Sequence, residues 1–236
     1  MPTLTTSKGE KIHFKTTPLF SGSSVINKQQ SKENLLLFKR IMDSHRLFFA
    51  LTAGTLLGAV REHDFIDHDE DIDLALYSED KQKVIDILPE FIREGFIIAR
   101  YDRRNVISLI RGGDYIDLCF FQKESELIYA CGGTLILSCF MEEIGDLSFL
   151  GETFKVPKEY KEFLNCEYGY NWMTPVEFFD FNKPKLLIFK LKMKERIKDY
   201  IPDSLYHILA KRQEKRIRAE YMTIINKYLD SKKSHN

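Results

Sequence analysis

Three aspartates occupy every second position of one short segment, as Asp69, Asp71 and Asp73. Ile72 and Leu74 alternate with them, and such alternation with a period of two is typical of a β-strand. Alternate side chains leave a strand from the same face, so we expect Asp71 and Asp73 to lie about 7 Å apart along one side. Two such carboxylates repel each other unless a cation lies between them. A hard divalent ion suits these oxygen ligands, and we expect Mg²⁺, or Mn²⁺ instead of Mg²⁺.

Two other interpretations account for an acidic segment. A solvent-exposed run is disfavoured because the apolar residues Ile72, Leu74 and Leu76 indicate a strand inside a sheet. An EF-hand loop starting at Asp69 needs glycine at its sixth position and glutamate at its twelfth. Those places hold Leu74 and Asp80, so the EF-hand interpretation fails.

A further aspartate, Asp117, lies in a predicted strand of largely apolar residues from Tyr115 to Gln122. A lone aspartate in such a strand is usually an edge residue or is paired with a cation. Beside Asp71 and Asp73, it is instead expected to complete a site for one or two divalent ions. Such a site neutralises phosphate oxygens and activates an attacking hydroxyl.

Upstream of the aspartates, Gly54 and Thr55 are predicted to form a turn before a short helix from Leu56 to Arg61. Gly54 lacks a β-carbon, so its backbone can approach a phosphate closely. Thr55 offers a hydroxyl, and the helix offers free N–H groups at its positive end. Arg61 either grips a phosphate with two hydrogen bonds or caps the end of the helix.

The apolar periodicity predicts the elements that must position these residues. Ser31 is expected to cap a first helix, and Ser78 a second helix that runs to about Arg93 with a kink or break at Pro89. The strands are predicted at Leu47–Thr52, Asp71–Tyr77, Phe96–Arg100, Val106–Arg111, Tyr115–Gln122, Leu127–Ala130 and Thr134–Met141.

Composition sets the organisation of the 236 residues, of which 44% are hydrophobic. We expect a polar surface segment over residues 1–30 that includes Gly22–Ser24, a catalytic domain over residues 31–182 and a helical extension over residues 183–236. The sequence shows no apolar leader and no apolar run of the roughly 20 residues that span a membrane. Its four cysteines form no C-x-x-C pair, which favours a reduced, cytoplasmic protein.

The net charge of zero is unevenly distributed. From Lys183 onward the chain carries 15 Lys and Arg against 6 Asp and Glu, whereas the preceding part carries 20 against 29. The basic extension is either a solvated face or a surface that docks on an anionic membrane or a lipid-linked acceptor. The acidic core disfavours nucleic acid as a partner.

The segment GTLLGAVREHDFIDHDEDIDLAL resembles the signature block of the LicD/fukutin-like phosphotransferase family. A second block, FLGETFKVPKEYKEFLNCEYGYNWMTP, is similar to a later block of that family. Together the blocks lie between Leu47 and Pro175. The chain departs from the family at His68, where tryptophan is frequent, and at Asp64 and Asp67, where glycine and proline are usual.

The resemblance implies a nucleotidyltransferase fold, an α/β (α+β) mixed sheet flanked by helices. It implies transfer of phosphocholine, a polyol phosphate or glycerol phosphate from a CDP-activated donor to a glycan hydroxyl, with CMP released. Asp71 and Asp73 match the family's metal-binding pair, and Asp117 matches its later acid. Gly54, Thr55 and Arg61 match the donor-phosphate motif.

Other side chains near these blocks have two possible roles. Tyr168, Tyr170 and Trp172 either stack on cytosine or a sugar, or pack against the protein. His63 and His68 are either surface residues or a base or zinc ligand beside the aspartates.

Two further functions stay open on the sequence. A nucleotidyltransferase of the same fold would add a nucleotide from an NTP to a small molecule or protein and release pyrophosphate. A non-catalytic module would bind a nucleotide or a partner through the basic extension.

Overall fold

The computed structural model describes residues 2–19, 25–176, 184–198 and 200–233. Its strands are β1 (Thr3–Thr5), β2 (Lys11–His13), β3 (Ala50–Leu51), β4 (Ile72–Tyr77), β5 (Ile97–Asp102), β6 (Val106–Arg111), β7 (Asp114–Lys123), β8 (Ile128–Cys131), β9 (Thr134–Leu137), β10 (Ile144–Phe149) and β11 (Glu152–Pro157). Its α-helices are α1 (Lys28–Ser44), α2 (Ala53–Arg61), α3 (Lys81–Arg93), α4 (Ser138–Glu142), α5 (Tyr160–Tyr168), α6 (Lys185–Lys198) and α7 (Asp203–Lys233).

Nine strands form one mixed sheet in the order β10-β11-β3-β4-β7-β6-β5, with the β8–β9 hairpin attached to β7. β4 and β7 run parallel at its centre, and β11 pairs with β3 in parallel, while the other pairs are antiparallel. Helices pack against this sheet. The predicted fold class, a mixed sheet flanked by helices, is confirmed.

Apolar side chains at helical spacing fix α1 and α3 to the sheet. α3 buries Val84, Ile85, Leu88 and Phe91, one stripe of an amphipathic helix. The Phe91 ring stacks on Phe38 of α1 with the ring centroids 5.2 Å apart. Such aromatic pairs add stability beyond the area that they bury. Pro89 does not split the helix, since α3 continues through it to Arg93.

The predicted start of the first helix is wrong. Asn27, not Ser31, is the N-cap of α1, and its side chain accepts a hydrogen bond from the Gln30 backbone N–H. Ser31 lies inside the helix, fully buried, and its hydroxyl donates to Asp114 at 2.8 Å. A serine that tethers the helix to β7 has the same local signature as a cap, which explains the error.

The predicted turn at Gly54 and Thr55 is also corrected, because both residues lie in the first turn of α2, which begins at Ala53. Thr52 is the residue before the helix, and its backbone is extended. The strand before it is short, comprising only Ala50 and Leu51 of the predicted Leu47–Thr52. The chain therefore passes from β3 into α2 without a loop.

Two other predicted segments differ from the structure. The strand predicted over Thr134–Met141 ends at Leu137, and α4 follows directly. The N-terminal segment contains the β1–β2 hairpin, which buries Leu4 and Ile12 against the core. Each of these strands has only three residues, which is too few for a period-two alternation to be recognised in the sequence. The predicted Gly22–Ser24 segment lies outside the described residues.

The C-terminal extension is helical where it is described, as predicted. Ile225 of α7 is buried, and Tyr221 and Tyr228 pack against the core around β9. The boundary predicted at residues 182 and 183 lies outside the described residues, and the division into domains stays a prediction. No helix in the described ranges is long and apolar enough to cross a membrane.

Candidate active site

The register of the sheet lines up four polar residues across neighbouring strands. Asp73 of β4 lies opposite Asp117 of the parallel strand β7. Ser108 of β6 lies opposite Asp117 on its other side, and Arg100 of β5 lies opposite Ser108. Residues directly opposite in a sheet share one face, so these side chains form a single row.

A β-bulge puts Arg100 into this row. The pairing of β5 with β6 shifts between Ile98 and Arg100, so that Ile98 faces Leu109 while Arg100 faces Ser108. The extra residue is Ala99, which is fully buried. A bulge turns the following side chain to the opposite face of the sheet, and here it turns Arg100 towards Asp117.

Three carboxylates meet where β4 and β7 lie side by side. One oxygen of each of Asp71, Asp73 and Asp117 lies within 4.8 Å of the other two. Burial, and then the charges of neighbouring carboxylates, raises the pKa of Asp71 and of Asp73 well above the usual range. Three acids at this spacing store repulsion that a cation relieves.

Hydrogen bonds hold Asp117 in place. It accepts from Arg100 Nη2 at 2.6 Å and from the Ser108 hydroxyl. Burial and then the neighbouring carboxylates outweigh the smaller, opposite effects of Tyr115 on the pKa of Asp71 and of the Gly54 backbone N–H on the pKa of Asp73. The contacts of Asp117 resemble those by which the residues behind a metal site orient its ligands.

Asp69 is the fourth acid of the cluster. Its Oδ1 accepts from the Glu70 backbone N–H at 3.0 Å, but its Oδ2 is buried and has no hydrogen-bond partner. Burial raises the pKa of Asp69 to about 6. A β-carbon at Gly54 would lie 2.6 Å from Oδ2, so only glycine fits here without moving Asp69. An unpartnered buried carboxylate oxygen is costly without a cation or a donor.

These residues fit a hard divalent cation. All of the clustered ligand atoms are carboxylate oxygens. Mg²⁺ and Mn²⁺ prefer such ligands, whereas zinc sites are usually rich in sulfur and nitrogen ligands. Arg100 and Ser108 each use one lone pair of Asp117, and a carboxylate offers about four. Asp117 can therefore ligate an ion while it is held by the two donors.

A cavity of about 680 Å³ opens beside the acids, a size typical of small-molecule sites. Asp69, Asp71 and Asp117 lie in its wall, with Arg100 and Tyr115 next to them. The other lining residues include Leu57, Arg61, Ile66, Tyr168, Asn171, Trp172 and Thr174. The cavity thus combines acidic with apolar and aromatic lining.

Thr55 is engaged by the protein. Its side chain is fully buried, and its hydroxyl accepts a hydrogen bond from the Asp73 backbone N–H at 2.9 Å. It is absent from the residues that line the cavity. This contact joins α2 to β4 and fixes the backbone that carries Asp73, and the role of Thr55 at a donor phosphate stays a prediction. Gly54, by contrast, does line the cavity.

Arg61 lies at the cavity but is engaged by the protein. Its Nη1 donates to the Trp172 carbonyl at 3.0 Å, and its Nε lies 2.7 Å from Glu62 Oε1. Neither contact is a cap on the last carbonyls of α2, which was the second predicted role. The guanidinium ties the segment around Trp172 to α2 and so shapes the cavity mouth.

The aromatic residues of the second sequence block divide between the predicted roles. Trp172 is buried, its indole N–H donates to Asn165 at 2.8 Å, and its ring lines the cavity together with Tyr168. Tyr170 is turned away and its hydroxyl lies 2.9 Å from that of Ser231. His68 lines the cavity, whereas exposed His63 does not. Stacking of Tyr168 and Trp172 on a ligand stays a prediction.

Sequence reasoning missed Arg100, Tyr115 and Glu167. Arg100 interrupts the apolar run of a strand, a signal that could have been noticed, but its direction depends on the bulge. Tyr115 lies at the start of a predicted strand, and the sequence gives no indication that it lies near Asp71. Glu167 lies next to Tyr168 on α5, where burial raises its pKa to about 7 and where its charge acts on Asp73.

A search of protein-family models matches residues 46–159 to the family described as LicD/FKTN/FKRP, nucleotidyltransferase domain. This range runs from the β3–α2 connection through β4 and β7, so it includes every acid of the cluster. It ends inside the second sequence block.

Curated relatives align with parts of the chain. An uncharacterized protein of Rickettsia typhi, RT0683, is 34% identical over 101 residues, which cover 40% of this chain and 31% of the relative. The human ribitol-5-phosphate transferase FKTN is 25% identical over 178 residues, which cover 68% of this chain and 37% of the relative. The chain thus spans about a third of the length of these relatives.

Among solved structures, the lincomycin-bound lincosamide antibiotic adenylyltransferase LnuA superimposes with a TM-score of 0.45 at 13% identity. The match covers 67% of this chain and 96% of that chain. The antibiotic-resistance factor ANT(2'')-Ia superimposes with a TM-score of 0.43 at 11% identity.

Proposed function

Residues 46–159 belong to the LicD/FKTN/FKRP nucleotidyltransferase-domain family, and from this premise we propose that the protein is a metal-dependent phosphotransferase. It moves a phospho-alcohol from a CDP-activated donor to a hydroxyl of a glycan, and CMP is released. The donor, the metal and the acceptor are all part of the proposal.

One observation carries this proposal: the oxygens of Asp71, Asp73 and Asp117 converge within 4.8 Å, and Asp71 and Asp117 line a cavity large enough for a nucleotide. A structural role for the acids is a poor explanation, because the pKa values of Asp71 and Asp73 are raised by burial and mutual repulsion. Acids that destabilise the unliganded fold are retained where a ligand uses them.

Asp71 and Asp73 are the residues that would hold Mg²⁺ or Mn²⁺, with Asp117 completing the ligand set through its remaining lone pairs. When bound, such an ion neutralises the diphosphate of the donor. Arg100 and Ser108 keep Asp117 in one orientation, and Tyr115 lines the cavity together with Asp71.

The remaining residues bind and align the reactants. Tyr168 and Trp172 offer flat surfaces to the cytosine, and Gly54 lets the start of α2 approach the phosphates. The acceptor hydroxyl attacks the phosphorus that bears the alcohol, in line with the oxygen that bridges the two phosphates. The bond from that phosphorus to the bridging oxygen breaks, CMP leaves with the electron pair, and Asp117 accepts the hydroxyl proton. Such transfer depends mainly on positioning and charge neutralisation.

Ribitol phosphate is the first donor group to test, because one relative is named a ribitol-5-phosphate transferase. Purified protein is incubated with CDP-ribitol, CDP-glycerol or CDP-choline, with Mg²⁺ and a mixed glycan acceptor, and CMP is quantified. We expect CMP from at least one donor, and its loss when the ion is chelated.

Asp71→Asn and Asp73→Asn are expected to lower CMP release by about a thousandfold, since losing several kcal/mol of charge stabilisation has that effect. Glu126→Gln is the matched control, because Glu126 is almost fully exposed on the far β7–β8 connection. Pyrophosphate release from an NTP, with no CMP from any CDP donor, would contradict the proposal and favour nucleotide transfer.

A further inference from the structure

Helix α6 exposes a stripe of large apolar side chains. Leu186, Phe189, Met193 and Ile197 follow one another at spacings of three and four residues, so they lie on one face of the helix. Their exposed fractions are 65%, 61%, 38% and 50%. Contiguous exposed apolar side chains of this size mark an interaction surface.

Positive charge accompanies this stripe. α6 contains six Lys and Arg residues and one acid. Lys190, Lys194 and Lys198 each directly follow a residue of the stripe, at intervals of four, and form a second row parallel to it. Lysines beside an apolar stripe keep their ammonium groups in water while their stems cover apolar surface.

The two rows line a groove between α6 and α7, which we call the α6 groove. Its volume is about 530 Å³, and its apolar wall is formed by Phe189, Met193, Ile197, Ile201, Tyr206 and Ala210. Among the described residues that line it, the charged ones are the three lysines of the second row and Arg104. Arg104 is neutralised by Asp102, at 2.8 Å from Nη2 to Oδ2. Lys190 and Lys194 therefore contribute positive charge to the groove.

Contacts to the sheet hold the groove open. The Tyr206 hydroxyl donates to Asp102 of β5 at 2.6 Å, and Arg103 Nη1 donates to the Ile201 carbonyl at 3.1 Å. The Arg103 guanidinium also lies over the Tyr206 ring, with its Cζ atom 4.6 Å from the ring centroid. One wall is thus fixed, while the apolar stripe of α6 on the other wall stays exposed.

We propose that the α6 groove is a docking site for anionic phospholipid at the surface of a bilayer. The acyl chains contact the apolar stripe, and the lipid phosphates contact Lys190 and Lys194. The combination of an apolar row and a parallel cationic row is the pattern by which helices lie in the interface of an anionic membrane. α6 has 14 residues, so it lies on the bilayer and does not span it.

The groove and the candidate active site have a neighbouring cavity in common. This smaller cavity of about 180 Å³ shares Arg100 with the candidate active site and shares Lys198 and Tyr206 with the α6 groove. The docking itself needs no turnover, so its test is independent of the proposed reaction.

The test is co-sedimentation of the full chain with vesicles of phosphatidylcholine alone or of phosphatidylcholine with 30% phosphatidylglycerol. We expect binding to the anionic vesicles only, weakened by 0.5 M salt. The double variant Lys190→Gln/Lys194→Gln and the single variant Phe189→Ser should each weaken binding about tenfold or more. All of these side chains are exposed, so the thermal midpoint should not change.

Lys211→Gln/Lys215→Gln is the matched control. It removes the same charge at the same spacing from exposed positions of α7 that do not line the groove. Equal weakening by this control would overturn the proposal in favour of unspecific attraction. Equal binding to uncharged vesicles would overturn it too, as would a dimer that Phe189→Ser dissociates and that binds no vesicles.

Discussion

At the scale of single residues, Asp117 has both of the surroundings that the sequence left as alternatives. It is paired with Arg100 at 2.6 Å, and it also lies within 4.8 Å of the other two acids. A buried aspartate held by an arginine and a serine keeps lone pairs for a metal ion. We expect the pair to orient the acid for the proposed ion.

The first prediction concerns this orientation. Arg100→Gln and Ser108→Ala should lower kcat by about 10- to 100-fold, the usual effect of losing a contact behind a metal ligand. The KM for the donor should change little, and the Mg²⁺ concentration that gives half-maximal rate should rise. Steady-state kinetics over a Mg²⁺ series measures all three. An unchanged kcat with a raised donor KM would instead mean that Arg100 contacts the donor directly.

The second prediction concerns Thr55. Thr55→Val removes the acceptor of the buried Asp73 N–H and should cost about 1–3 kcal/mol of the free energy of unfolding, measured in urea. Thr55→Ser keeps the hydroxyl and should retain most of that stability. If Thr55→Val left stability unchanged and raised only the KM for the donor, the hydroxyl would belong to the donor site after all.

How much of this site the sequence predicts depends on the range of the interactions. The alternation around Asp71 and Asp73 is local, so the strand and its shared face could be predicted. The register between β4 and β7 and the bulge before Arg100 depend on which strands pair across the sheet. The spacing of residues along one sequence does not predict that pairing. The contact of Thr55 with β4 could not be predicted for a similar reason, because this hydrogen bond is tertiary.

At the scale of elements, the junction of β3, α2 and β4 determines the shape of the site. The chain enters α2 directly from the short strand β3, and the Thr55 hydroxyl in the first turn of the helix accepts a hydrogen bond from the Asp73 backbone N–H. An unpaired helix N-terminus is a favourable place for a carboxylate or a phosphate. Glycines at Gly54 and Gly58 allow the helix to lie close to the segment that carries Asp69.

The third prediction compares these two glycines of α2. Gly54→Ala puts a β-carbon 2.6 Å from the end of the Asp69 side chain, which can rotate, so it should lower activity with little loss of stability. Gly58→Ala puts a β-carbon 2.7 Å from the Asp64 backbone carbonyl, which cannot rotate away. It should lower the thermal midpoint. Activity and thermal midpoint, measured on both variants, should therefore show different losses for Gly54→Ala and Gly58→Ala. Equal loss of both quantities in the two variants would contradict the prediction.

At the scale of the whole molecule, contacts at both ends of α7 help to attach the helical extension to the sheet. Ile225, Tyr221 and Tyr228 of α7 pack against the core near β9. At the other end, the Tyr206 hydroxyl bonds to Asp102, which is itself held by Arg104. The helical pattern of this extension was predictable from its periodicity, whereas its attachment to β5 through a buried ion pair was not.

The fourth prediction is a pH dependence of this attachment. Burial would raise the pKa of Asp102, but hydrogen bonds and charge from Arg104, and the Tyr206 hydroxyl, outweigh it and hold the pKa well below the usual range. Because the folded pKa is lowered, the stabilisation is present above the unfolded value of about 3.9 and is lost as the pH falls towards the folded pKa.

Asp102→Asn should therefore cost about 3 kcal/mol of the free energy of unfolding at pH 7, and the difference from the unaltered chain should shrink below pH 4. The difference between the two proteins isolates Asp102 from Asp69, Asp71 and Asp73, whose raised pKa values act with the opposite sign. Urea unfolding at pH 7, 5 and 3 measures it. A difference that stays constant over this range would contradict the assignment.

The most direct test of the central claim is a titration of Mn²⁺ into the protein with CDP present, followed by the electron paramagnetic resonance of the free ion. We expect one or two bound ions, with affinity lost in Asp71→Asn and Asp73→Asn and retained in Glu126→Gln. Binding that is equal in all four proteins, or no binding at all, would contradict the claim that these aspartates hold a cation against the donor.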